Sequence, residues 1–303
     1  KNSLPVLSSV TSSPEDTVTT VDDLSITPGE ATDADGDEVT LTYIWTVDGD
    51  ERQDYIDQLS VPSDITEKGQ LWAVEIVPND GEENGESTMV PFVIANTPPE
   101  VISISLAPEE VYKDSTLTVS YEASDIDNDE LSASYEWKVN GEVVMITVEP
   151  SDDDTGAADT GSEDTGGSEE PTEEPLNSAS LTGEHFSKDD VVSVTVTITD
   201  GDDSVSVTSE DITIMNSAPS LASVDVGPDP AYISSELQCS YGGEMDIDGD
   251  DITVSYSWMK DGLSIGSGEM LVGAIFSKGD VVTCSAIPND GEEDGAAVEG
   301  SIT

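Results

Sequence analysis

Three times along the chain an Asp-x-Asp-x-Asp triplet is followed, eight residues after its last aspartate, by a tryptophan. The copies are Asp33, Asp35 and Asp37 with Trp45; Asp125, Asp127 and Asp129 with Trp137; and Asp246, Asp248 and Asp250 with Trp258. A tyrosine stands two residues before each tryptophan (Tyr43, Tyr135, Tyr256), and an Asp-Gly or Asn-Gly pair begins three residues after it. Tyr-x-Trp running into such a pair reads as a strand entering a tight hairpin, because both central turn positions then tolerate positive φ. A chain that repeats this unit folds as a series of similar β modules.

Other features fall into register with the tryptophans. Asn-x-x-Pro precedes each copy, as Asn2–Pro5, Asn96–Pro99 and Asn216–Pro219, and an Asp-Gly pair closes each: Asp80-Gly81, Asp200-Gly201 and Asp290-Gly291. These marks set the expected domains at 1–97, 98–217 and 218–303. From the closing aspartate to the next linker asparagine is 16 residues in both places, and the same count from Asp290 leads to position 306. The chain therefore reads as three in-phase repeats of a longer array. The linker-to-linker periods are 94 and 120 residues, and an insert of about 151–175 in the second copy accounts for the difference. The insert carries ten acids and no bases, with Asp-Thr-Gly recurring at Asp154, Asp159 and Asp164. Nothing in it could bury a core, so it is expected to be a flexible, extended loop. A solvated spacer is the first reading of it; a sugar-bearing or weakly cation-binding segment is the other.

Alternation of period two dominates, as in Leu117, Val119 and Tyr121 or in Val192, Val194, Val196 and Ile198, and no segment carries a helical stripe. Short strands rich in threonine, valine and tyrosine, separated by tight turns, predict an all-β fold of antiparallel sandwiches. About 90 residues with a central strand tryptophan is the signature of an immunoglobulin-like domain. Trp72 alternates in phase with Val74 and Ile76 and is expected to be buried. Cys239 and Cys284 flank Trp258 as an inter-sheet bridge between the second and sixth strands requires. Ile26 with Val74, and Val119 with Val194, take the equivalent places in the other copies. A disulfide is expected, in keeping with an oxidising, extracellular setting, and closing its loop contributes roughly 3–4 kcal/mol. Two buried free thiols are the alternative.

The runs "ATDADGDEVTLTYIWTVDG", "ASDIDNDELSASYEWKVNG" and "MDIDGDDITVSYSWMKDG" resemble the PKD-like and cadherin-like repeats of bacterial surface proteins. In those repeats a D-x-D-G-D run precedes a Tyr-x-Trp strand. The resemblance covers all three copies and implies tandem immunoglobulin-type sandwiches. It departs from PKD domains proper in lacking a Trp-Asp-Phe-Gly-Asp-Gly element, and from cadherins in having Asn-x-x-Pro linkers.

The chain has 67 acidic and 8 basic side chains, for a formal net charge of -59. That field repels nucleic acid and anionic membranes and attracts cations, so neither of the first two is an expected partner. It fits a protein built around a hard divalent cation, or one adapted to salty surroundings. No apolar run approaches the ~18 residues of a membrane span. The single histidine, His185, leaves no basis for a histidine zinc site or a catalytic triad and is expected near a surface turn.

Calcium takes six to eight oxygen ligands, and an Asp-x-Asp-x-Asp loop supplies three carboxylates from one turn. An EF-hand does not explain the triplets: its sixth loop position should be glycine and is Glu38, Glu130 or Asp251, and a strand follows rather than a helix. In an immunoglobulin-like sandwich the loop after the second strand and the loop after the sixth lie at the same end. Asp33, Asp35 and Asp37 should then meet Asp80 and Asn2. Asp125, Asp127 and Asp129 should meet Asp200 and Asn96, and Asp246, Asp248 and Asp250 should meet Asp290 and Asn216. Calcium there would stiffen the hinge between repeats. The competing reading makes these aspartates turn formers only. Lys68, Lys188 and Lys278 recur in matching turns just before the sixth strand, which suggests a local ion pair or a contact with an acidic neighbour, and they are read as relics of the repeat.

The function expected from all this is non-enzymatic: an adhesive or structural segment of a bacterial cell-surface or secreted fibre. Its partners would be neighbouring repeats, a cell-surface partner, or further copies assembling into filaments through edge strands. The alternative is a spacer module of a large secreted hydrolase. Sugar binding is disfavoured, since the core accounts for the tryptophans, and every acidic cluster is either repeated or in the insert, which disfavours an enzyme.

Overall fold

The computed structural model describes residues 1–148, 172–273 and 275–303. It is a tandem immunoglobulin-like all-β protein, and among the described residues the helical content is two single 3-10 turns, Gln53–Tyr55 and Ser63–Ile65. By contacts the chain divides into two compact units. One comprises Lys1–Ser103, Tyr121–Ser134 and Val196–Val207; the other comprises Ile104–Ser120, Tyr135–Thr195 and Thr208–Thr303. The first unit thus holds the whole first repeat and the triplet end of the second; the other holds the rest of the second repeat and the third.

In the first repeat one sheet pairs Val10–Ser13, Leu24–Pro28 and Ser60–Val61. The other runs Asp50–Glu51, Thr40–Val47, Leu71–Asn79, Thr88–Ala95, with Val18–Thr19 added in parallel to the last. Trp45 stands opposite Val74 in the register of the second sheet and packs into a core with Leu24, Ile26, Trp72, Ile76 and Phe92. Trp72 is fully buried, as its phase with Val74 and Ile76 requires.

The third repeat has the same plan. Ser223–Gly227, Leu237–Gly242 and Met270–Leu271 form one sheet, and Leu263–Ser267, Thr253–Lys260, Val282–Asn289 and Val298–Ile302 form the other. Trp258 lies opposite Cys284, the register position that Trp45 and Val74 occupy. Cys239 and Cys284 form a disulfide joining the two sheets, which removes the free-thiol alternative.

In the second repeat Trp137, Leu117, Val119, Val192, Val194, Val196 and Ile198 are all buried. Each core tryptophan keeps its indole N–H satisfied: Trp45, Trp137 and Trp258 donate to the carbonyls of Gln58, Ser178 and Gly268. The hairpin after each tryptophan strand has positive φ at both central residues, 51° and 89° at Asp48 and Gly49, for example. That is the turn the Asp-Gly and Asn-Gly pairs predict.

The insert departs from expectation at its end. Thr172–Pro175 is a strand paired antiparallel with Met145–Val148, so these four residues are not loop. Pairing satisfies the backbone of a segment whose side chains have no core to enter. Residues 151–171 of the expected flexible loop lie outside the described residues.

Candidate functional site

The three triplets fold alike, and local hydrogen bonding explains why. The first aspartate curls the loop around one of its oxygens. Asp33 Oδ1 accepts the amide of Asp35 at 2.7 Å, and Asp125 Oδ1 accepts those of Asp127 and Asp129 at 2.8 and 3.2 Å. Asp246 Oδ1 accepts those of Asp248, Gly249 and Asp250 at 2.8, 2.9 and 3.2 Å. The middle aspartate then captures the linker. Ser3, Thr97 and Ser217 donate backbone amides to Asp35, Asp127 and Asp248 at 2.7, 2.8 and 2.7 Å.

The linker asparagine is held by the closing turn. Asn2, Asn96 and Asn216 donate Nδ2–H to the Oδ2 atoms of Asp80, Asp200 and Asp290 at 2.9, 2.8 and 2.8 Å. The other oxygen of each closing aspartate accepts the next-but-one and following amides, those of Glu82 and Glu83 in the first repeat. The same bonds recur with Asp202 and Asp203 and with Glu292 and Glu293. Asp80, Asp200 and Asp290 therefore have both oxygens engaged in binding the turn and the asparagine. The second and third sequence-predicted sets are thus linked by hydrogen bonds at one end of the repeat, and so is the first except for Asp37, which has no hydrogen bond to its set among the described residues. In the second repeat one oxygen each from Asp125, Asp127 and Asp129 lies within 4.8 Å of the others.

After this bonding, a recurring set of oxygens stays shielded from solvent with no partner: Asp33 Oδ2, Asp125 Oδ2 and Asp246 Oδ2, together with Asn96 Oδ1, Asn216 Oδ1 and Asp248 Oδ1. All six are pure acceptors at neutral pH, and a buried acceptor without a donor is costly. A cation or a hydrogen-bond donor would complement these oxygens.

The closing aspartates are held well below the usual carboxylate range. The Asn96 amide first, then the backbone N–H of Asp203, bring Asp200 down to about 2. Asn216 and Glu293 do the same for Asp290, also to about 2, and Asp80 is lowered chiefly by the backbone N–H of Glu83. A carboxylate whose folded pKa is depressed stabilises the fold above its unfolded pKa, and that contribution is lost as pH falls through the folded value. The melting temperature is therefore expected to fall between about pH 4 and about pH 2. Asp200→Asn with Asp290→Asn should flatten that slope, which calorimetry across the window would show.

Of the two expected contacts, Lys68 and Lys188 make the one with acidic neighbours, and those neighbours lie in the next repeat. Lys68 Nζ donates to Asp129 Oδ2 at 2.7 Å and to Asp202 Oδ2 at 2.6 Å. Lys188 Nζ donates to Asp250 Oδ2 at 2.6 Å and to Glu292 Oε1 at 2.7 Å. Each lysine thus reaches past the linker to the third triplet aspartate and the closing turn of the following repeat. They are inter-repeat contacts, not local pairs and not relics. Thr20 adds a hydroxyl donated to Asp127 Oδ1 at 2.6 Å. The available signal was that three of the eight basic residues recur at one place.

Fold and site together define a tandem immunoglobulin-like array with an acidic, linker-anchored cluster of oxygens at one end of each repeat. No family model matches the chain, and no curated protein matches it. Among solved structures it is similar to immunoglobulin domains 1–5 of Sidekick-1, at 13% identity and a TM-score of 0.34. That match covers 100% of this chain, which spans 59% of the Sidekick-1 structure. Domains A168–A170 of titin match at 11% identity and a TM-score of 0.35, over 98% of this chain and 97% of that one. Domains FN1–FN3 of chicken CNTN1 match at 10% identity and a TM-score of 0.29, covering 99% of each. The fold assignment rests on the chain's own sheets, registers and disulfide. Among the described residues no helix is long and apolar enough to cross a membrane.

Proposed function

We propose that the protein is a structural or adhesive segment of an extracellular surface protein or secreted fibre, with calcium at the triplet end of each repeat. The carrying observation is the recurring set of buried oxygens without partners. Carboxylate and amide oxygens, with no histidine or thiol beside them, suit a hard cation and calcium in particular. Asp125, Asp127, Asp129 and Asn96 would hold it in the second repeat, Asp246, Asp248, Asp250 and Asn216 in the third, and Asp33, Asp35, Asp37 and Asn2 in the first. Asp80, Asp200 and Asp290 stand behind the asparagines: gripping Nδ2 turns the amide so that Oδ1 is free to ligate. Because the same loop binds the linker amide, the cation would fix the linker to the repeat it enters.

The disulfide favours an oxidising, extracellular location, and the PKD-like resemblance favours a bacterial surface. Neighbouring repeats are the first partners, with a surface partner or further copies beyond them. A spacer role in a secreted hydrolase is the second reading, supported by the same stacked architecture.

Thermal unfolding in calcium, in chelator, and in sodium chloride of matched ionic strength tests the proposal. Calcium at 100 times its Kd should add about 2.7 kcal/mol per occupied site. The gain should vanish in the variant Asp33→Asn, Asp125→Asn, Asp246→Asn, whose amide oxygens can still accept the loop amides. Equal stabilisation by sodium would mean salt adaptation and end the calcium reading.

A further inference from the structure

We propose that Thr20 sets the calcium affinity of the repeat that follows it, so that the cation site of the third repeat fills well before that of the second. This rests on the calcium reading and adds a ranking that the recurrence of the triplets conceals.

The second and third triplets receive their linkers in the same way. Thr97 and Ser217 donate backbone amides to Asp127 Oδ2 and Asp248 Oδ2 at 2.8 and 2.7 Å. In the second repeat a side chain from the preceding repeat then occupies the other oxygen. The buried Thr20 hydroxyl lies 2.6 Å from Asp127 Oδ1 and 2.7 Å from the hydroxyl of Thr97. A carboxylate oxygen only accepts, so Thr20 donates to Asp127 and Thr97 donates to Thr20.

The third repeat lacks this bridge. Thr20 and Lys113 stand six residues before the equivalent core positions Ile26 and Val119, each inside a turn closed by the amide of Asp22 or of Ser115. Lys113 offers no hydroxyl, and its ammonium is turned back into its own repeat, to the carbonyl of Phe186 and the hydroxyl of Ser187. Asp248 Oδ1 and Ser217 Oγ, the counterparts of the two groups that Thr20 joins, are shielded from solvent without a partner among the described residues.

The two sites therefore offer a cation different sets of free oxygens. The second has the shielded Asp125 Oδ2 and Asn96 Oδ1; the third has Asp246 Oδ2, Asn216 Oδ1 and, in addition, Asp248 Oδ1. A cation entering the third site takes Asp248 Oδ1 as it stands. One entering the second must first displace the Thr20 hydroxyl from Asp127 Oδ1. A hydrogen bond to a charged group is strong enough to change an affinity by roughly tenfold or more. The linker of the second repeat is thus held by a hydroxyl in the absence of calcium, whereas that of the third is completed by the cation.

Calorimetric titration of the full chain with calcium chloride tests this in two single-site backgrounds. Asp33→Asn with Asp246→Asn leaves the second site, and Asp33→Asn with Asp125→Asn leaves the third. The third site should bind roughly tenfold or more tighter than the second. Thr20→Val, which removes the hydroxyl at constant shape, should tighten the second site by a similar factor, and Thr20→Ser should leave it unchanged. Lys113→Thr, which supplies the missing hydroxyl, should weaken the third. Melting in chelator gives a readout without metal and reports whether each variant folds: Thr20→Val should melt lower than the parent and Thr20→Ser should not. Equal affinities at the two sites, or a second site weakened by Thr20→Val as loss of a ligand would weaken it, would overturn the ranking and leave the calcium reading standing. Calcium binding in neither background would remove that reading and the ranking with it.

Discussion

Trp45→Ala is expected to destabilise the first repeat by about 3–5 kcal/mol, the usual cost of removing a fully buried large aromatic. Three losses combine. The indole surface leaves the core, the stack on Phe92 at 5.7 Å disappears, and the carbonyl of Gln58 loses its indole donor. The neighbours are held by two sheets and cannot collapse freely into the space, which places the cost towards the upper part of the range. The first repeat has no disulfide to restrain its unfolded state, so most of its marginal stability should go. Hydrogen exchange by mass spectrometry should show protection lost across Leu71–Asn79 and Thr88–Ala95 while the third repeat keeps its own. Unchanged exchange in those strands would contradict the core described for this repeat.

Breaking the Cys239–Cys284 bond is the second large effect. Its sequence separation of 45 residues corresponds to about 4 kcal/mol in the chain-entropy account of cross-links. The effect should be confined to the third repeat, since Ile26 with Val74 and Val119 with Val194 hold the equivalent positions elsewhere with apolar side chains. Cys239→Ala with Cys284→Ala should therefore raise exchange in Leu237–Gly242 and Val282–Asn289 and leave the first two cores protected. A drop shared equally by all three repeats would mean that they unfold as one unit.

The sandwich was legible because its signals are local. Alternation placed Trp72, Val74 and Ile76 on one buried face, and the Asp-Gly and Asn-Gly pairs set the hairpins. The meeting of asparagine, triplet and closing aspartate was legible from topology, because strand order fixes which loops share an end. How those groups divide their hydrogen bonds was not. Asp200 commits both oxygens to Asn96 and to its own turn, and only the folded backbone shows which acceptors are left over. The lysine contacts were hidden for a different reason. Lys68 reaches partners 61 and 134 residues away, in another repeat, and the recurrence of the lysine does not say which acids it meets. The strand at Thr172–Pro175 escaped because its acidic composition says nothing of the partner strand at Met145–Val148.

The most direct measurement is anomalous diffraction from crystals of the full chain grown with a lanthanide in place of calcium. The account predicts one peak per repeat, at roughly the 2.3–2.6 Å of calcium–oxygen bonds from Asp33 Oδ2, Asp125 Oδ2 and Asp246 Oδ2. Maps with no peak at these oxygens, and ordered water bonded to them instead, would contradict it.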